Sequence, residues 1–209
     1  MKKMIEPVIY WRDIMLDAFL NYFGENIKLN PTGSLYEDFI NQLGGKSFGN
    51  GLFRSFSNEN IEKWTTIVTE AYPEAQGQFK LFGFDWLGRC FGVSLRKNES
   101  EKIFMFEIGT GEVLGIPCSL ENFLNEEIPL YADDCLAASF FDEWMTVNEE
   151  AIAYENCVGY IVPLFLGGDD EIDNLEETDM EVYWGITAQI VNVVEDYPDG
   201  TEFGEFTIE

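Results

Sequence analysis

Four short runs between positions 78 and 117 constrain this chain most: QFKLFGFD (78–85), RCFGVSLR (89–96), KIFMFEI (102–108) and EVLGIP (112–117). Each is rich in aromatic and branched residues. Between them stand DWLG, KNES and GTG, all of them turn chemistry. This pattern predicts a meander of antiparallel strands.

Before the meander the chain reads helical. WRDIMLDAFLNYF (11–23) carries apolar residues at 11, 14, 15, 18, 19, 22 and 23, the period of one buried helix face, and Gly24 is a natural stop. Asn30-Pro31-Thr32-Gly33 is a turn, with Ser34 or Thr32 placed to cap a second helix through Leu43. GLFRSF (51–56) reads as a short strand. A third helix is expected from Ser57 or Asn58 to Pro73.

After the meander, Ser119 looks like a cap for SLENFLNEEI, although Asn122 replaces the Glu or Gln that a full capping box requires. A helix over 133–148 would bury Leu136, Phe140, Phe141 and Trp144. CVGYIVPLFL (157–166), interrupted by Pro163, reads as a buried edge or entry segment. Residues 180–194 fit both a strand and a helix. The tail EDYPDGTEFGEFTIE could end in a short added strand. The class is α+β: N-terminal helices, a central, mainly antiparallel sheet, and further helices in the C-terminal half.

With 46% hydrophobic and 15% aromatic residues among 209, the chain folds; a disordered acidic chain would lack the aromatics. Cys90, Cys118, Cys135 and Cys157 form no CxxC, which fits free buried thiols in a reducing cytoplasm. No run approaches the ~20 apolar residues of a membrane span, and no signal-length segment opens the chain. A soluble, cytoplasmic protein is expected.

The net charge of −27 is distributed unevenly. All twelve Lys and Arg lie at or before Lys102, and up to that point the charges nearly cancel. The remaining residues, 103–209, hold twenty-six Asp and Glu and no cation. Nucleic acid, a polyanion, is an unsuitable ligand for such a body, whereas a basic protein suits it.

Histidine is absent, which removes Ser-His-Asp and Cys-His nucleophiles and His-based zinc sites. GGKSFGNG (44–51) contains a Gly-Lys-Ser echo, but Ile40 stands where a phosphate-binding loop needs its first glycine. Pairs such as Asp133-Asp134 lack an apolar setting that would single one out for acid–base work. No catalytic residue, metal site or cofactor is expected.

The densest acidic stretch is GGDDEIDNLEETD (167–179), and eight carboxylates fall within the thirteen residues 169–181. As a calcium loop it fails in both registers. Starting at Asp169 puts Met180 where the closing Glu belongs; starting at Asp170 puts Ile172 and Leu175 at ligand and glycine positions. Apolar residues flank the run on both sides, which argues that the fold holds it in place. Asp169, Asp170, Glu171, Asp173, Glu176, Glu177 and Asp179 are therefore candidate partner-binding residues. Two motifs have structural readings. Asp85, Trp86, Gly88 and Arg89 form a tight turn with Trp86 in the core, and Arg89 can pair with Asp85 or with the acidic half. Gly167 and Gly168 let the chain turn out of the buried VPLFL segment.

LYEDFINQLGGKSFGNGLFRSF, the helix with Trp64, and YPEAQGQFKLFGFDWLGRCFGV resemble the GAD-like domain. FEIGTGEVLGIPCSLENFLNEE, DDCLAASFFDEW and CVGYIVPLFLGGDDEIDNLEETDMEVYWGITAQI resemble the domain that follows it, the C-terminal domain of type VI secretion DNase immunity proteins. There is a looser similarity to the SUKH-type immunity superfamily. The resemblance covers roughly residues 35–190 and implies two domains, 1–100 and 101–209, although a meander crossing that boundary would make one continuous body. It also implies a bacterial, non-enzymatic immunity protein that binds and neutralises a basic, possibly nuclease, toxin. The competing reading is an acidic regulatory or scaffold protein binding another basic protein or divalent cations.

Overall fold

The computed structural model describes residues 16–97 and 102–194. The first five residues expected in the opening helix, most of the KNES turn and the tail lie outside them. Six strands form one antiparallel sheet in strict chain order: β1 (Ser47–Phe48), β2 (Phe53–Ser55), β3 (Phe79–Asp85), β4 (Cys90–Ser94), β5 (Ile103–Glu107) and β6 (Glu112–Ile116). The four meander strands stand where the turn chemistry places them. β4 pairs with β5 across the expected boundary, from Cys90↔Phe106 to Val93↔Ile103.

Helices cover both faces of the sheet. One core joins α1 (Asp17–Tyr22) and α2 (Leu35–Leu43) to α4 (Leu120–Asn122), α5 (Ile128–Leu136) and α6 (Ala138–Val147) around Phe82, Phe91 and Met105. The other joins α3 (Ile61–Ala71) and α7 (Met180–Val194) around Leu81, Phe84, Phe104 and Phe106. Ile103 and Met105 thus serve one core, Phe104 and Phe106 the other. That two-sided burial explains why KIFMFEI shows no polar alternation. A second, two-stranded sheet pairs β7 (Asn156–Tyr160) with β8 (Leu175–Asp179). The architecture is α+β: N-terminal helices, a six-stranded antiparallel sheet, then C-terminal helices and a hairpin.

Local signals account for several boundaries. Ser34 and Glu37 form a reciprocal capping box on α2. Ser119 caps α4 by accepting the Asn122 N–H at 3.1 Å, without the reciprocal half. α3 begins later than expected, at Ile61, because a turn comes first in which the Asn60 side chain accepts the Ser57 N–H at 2.8 Å.

The single helix expected over 133–148 is two. Ala137 adopts a left-handed conformation (φ 51°) and separates α5 from α6, while the Asp133 carboxylate accepts the Ser139 N–H at 2.8 Å. Residues 180–194, equally compatible with strand and helix, are helical throughout. The Asp179 carboxylate accepts the Val182 N–H at 2.9 Å and caps that helix. The four cysteines are buried free thiols.

Candidate functional site: the acidic β7–β8 hairpin

The hairpin is fastened to the body at its first strand. Val158 donates its N–H to the Trp86 carbonyl at 2.7 Å. The Arg54 guanidinium, fully buried over the Phe84 ring, donates to the carbonyls of Ala153, Asn156 and Asp85. Desolvation pulls its pKa down to about 10, still well above neutrality.

The DWLGR turn receives these elements. Gly88 holds a positive φ of 77°, and a Cβ there would lie 3.1 Å from the Cys157 side chain. The Asp85 carboxylate accepts N–H bonds from Leu87 (3.1 Å) and Arg89 (3.0 Å), and pairs with the Arg89 Nε at 2.6 Å. Arg89 also reaches the Cys135 carbonyl (3.4 Å), so it meets both Asp85 and the second half of the chain. Burial pulls the Arg89 guanidinium down, but Asp85 and Glu107 outweigh it and hold its pKa above the ordinary value. Trp86 is wholly buried and donates to the Leu136 carbonyl at 2.9 Å.

Between the two strands the chain makes a compact loop. Pro163 leads into a 3₁₀ turn at Leu164–Leu166, and Gly167 follows with φ 86°. At Gly168 a Cβ would sit 1.9 Å from the Val162 carbonyl oxygen, so only glycine fits. Asn174 closes the loop. Its Oδ1 accepts the Val162 N–H at 2.9 Å, and its Nδ2 donates to the carbonyls of Val162 (2.9 Å) and Asp169 (2.8 Å).

All seven candidate carboxylates, together with Glu181, are exposed. They divide into two groups. Asp170 accepts the Tyr160 hydroxyl at 2.6 Å, Glu177 accepts the Asn156 amide at 2.8 Å, Asp179 caps α7, and Glu181 pairs with Lys63 at the surface. Asp169, Glu171, Asp173 and Glu176 make no side-chain hydrogen bond or ion pair among the described residues. Asp170, Glu177 and Asp179 shape the hairpin and its exit, and Glu181 ties α7 to α3; the second group is exposed and has no cation within bonding distance among the described residues.

Sequence reasoning missed three contributors here. The capping role of Asp179 was open to detection, since Asp immediately before a helical apolar pattern is a preferred cap. The Lys63–Glu181 pair joins residues 118 apart and had no local signal. Ile161 and Val162, expected within a buried segment, are 58% and 44% exposed. They follow the last residue of β7, where the chain leaves the core.

Among the described residues, no group of three or more His, Cys, Asp or Glu side chains is arranged to hold a metal ion. Nor is any helix among them long and apolar enough to cross a membrane.

Comparison with known proteins places this hairpin inside a recognised segment. Residues 120–191 match the family model described as T6SS immunity protein Tdi1, C-terminal, which runs from α4 into α7. In fold the chain is similar to the crystal structure of Atu4351 from Agrobacterium tumefaciens, with a TM-score of 0.57. That likeness covers 84% of this chain and 89% of that one; at 19% identity it concerns the fold. No curated protein matches the chain.

Proposed function

We propose that this protein is an immunity protein that binds and neutralises a basic toxin, a nuclease by preference, through the acidic surface of its second half. The observation that carries the reading is the similarity of residues 120–191 to the C-terminal part of the Tdi1 immunity protein. That stretch falls wholly within the part of the chain that has no Lys or Arg. In this reading the first segment is GAD-like, the second immunity-like, and the sheet passing through residues 90–106 joins them.

The physics supports the mechanism. A nuclease presents cations to grip phosphates, and a surface of unpaired carboxylates is drawn to the same groove. Such attraction raises on-rates by ~10–1,000-fold at low salt. Asp169, Glu171, Asp173 and Glu176 are the steering charges; Asp170, Glu177 and Asp179 add field while holding the hairpin's shape. No bond-making residue is needed, because blocking a site is an act of binding.

Co-expression with a candidate basic toxin tests the reading: it should relieve toxicity, and the purified pair should bind more weakly as salt rises. Persistent toxicity would remove the immunity reading. Salt-independent binding would remove only the steering. Stoichiometric micromolar calcium binding, measured by calorimetry, would instead favour the acidic scaffold that binds divalent cations.

A further inference from the structure

We infer that Ile161 and Val162 form the nonpolar centre of the contact with the basic partner, beside the acidic loop that Asn174 closes. The inference rests on the function proposed above and specifies where the partner touches. Charge attracts from a distance, but affinity concentrates in a few anchors that lose all their water. A carboxylate surface alone lacks such anchors.

These two side chains are large, apolar, adjacent and exposed. Their backbone is pinned. Ile161 donates to the Asn174 carbonyl at 2.8 Å, and the Asn174 side chain bonds both the N–H and the carbonyl of Val162. The same amide holds the Asp169 carbonyl, so the anchor and the acidic loop are fixed by one side chain. Leu164 donates to the Gly109 carbonyl at 3.0 Å and ties the next turn to the β5–β6 connection. Both residues are β-branched, with little rotamer freedom to lose on docking. An exposed pair held this firmly is already organised for a partner.

The occupant is a protein surface with an apolar depression bordered by Lys or Arg. Charge complementarity selects it: Asp169, Glu171 and Asp173 lie in the loop that Asn174 closes, and none has a cation among the described residues. A polyanion or an anionic membrane would be repelled. The exposed Val113 and Leu114 on β6 suit this partner less well, because Lys102 lies against Gly115 beside them.

The test measures binding kinetics of the full chain against a basic toxin domain that it neutralises on co-expression, at low and physiological salt. Ile161→Ala with Val162→Ala should weaken Kd by ~10–100-fold, through a faster off-rate, with the salt dependence unchanged. Asp169→Asn, Glu171→Gln and Asp173→Asn together, none of which breaks an internal bond, should slow the on-rate and flatten the salt dependence. A photo-crosslinking residue at position 162 should join the toxin domain, whereas one at the exposed Leu95 should not. If the wild type binds and the alanine pair binds equally well, the anchor is refuted and the proposed function stands. If the wild type does not bind, both fall.

Discussion

The Trp184 indole donates its N–H to the Gly88 carbonyl at 2.8 Å, so α7 closes on a turn 96 residues earlier in the chain. Both partners are determined by their surroundings: Trp184 is fully buried, and Gly88 has its positive φ and Cys157 pressed against it. The bond links the acidic second half to the meander of the first. Trp184→Phe should cost about 1–3 kcal/mol by leaving the buried Gly88 carbonyl with only the weak Cys90 thiol contact at 3.9 Å, and Trp184→Ala about 3–5 kcal/mol by also opening a cavity. Urea unfolding would measure both; a wild-type midpoint for Trp184→Phe would contradict the assignment.

The Asp85–Arg89 pair is buried and bonded on both sides, so removing one partner strands the other without water. Asp85→Asn or Arg89→Met should each cost about 3–5 kcal/mol, and the double variant less than the sum. A double-mutant cycle by chemical denaturation would show the coupling. Strict additivity would mean that the pair is not what holds the turn.

Ala137 occupies a left-handed conformation without the freedom of glycine. It ends α5, and its N–H bonds the Asp133 carbonyl at 3.0 Å. Ala137→Gly should therefore stabilise the fold by about 1 kcal/mol, the reverse of the usual helix penalty. Thermal unfolding would register a higher Tm.

Burial raises the pKa of Glu107; Arg89 opposes the shift, and Asp85, Asp170 and Glu112 add to it. The folded state thus holds this proton more tightly than the unfolded chain, whose carboxyl titrates near 4.5. From this group, stability is full below that value and falls as pH rises through the folded pKa. Glu107→Gln should raise Tm at pH 7, and the gain should shrink towards pH 4. A constant difference across that range would refute the shift.

Much of the fold was legible because its determinants are local. Turn chemistry between residues 78 and 117 marks four strands, and Ser34 and Ser119 announce the helices they cap. The DWLGR turn declares its own hydrogen bonds, and the two glycines at 167–168 their backbone demand. Along the chain itself lies the charge asymmetry, since no fold can supply a cation where residues 103–209 have none.

Other features depend on residues far apart. Whether residues 180–194 form a strand or a helix was undecidable from their own pattern. The helix prevails because Asp179 caps it and Trp184 and Tyr183 find burial against the sheet. The break at Ala137 has no Gly or Pro to mark it; the packing of two helices on one sheet face imposes it. Likewise, a run of acids does not reveal which of them are occupied. Tyr160, Asn156 and Lys63 engage three, and the start of α7 a fourth, while Ile161 and Val162 pass to the surface beside the rest. The sequence alone determined that this half is acidic and that it folds. Only the tertiary structure decided which charges are left without a partner side chain among the described residues and which apolar side chains are exposed, because exposure and pairing are properties of neighbours that the chain brings together by folding.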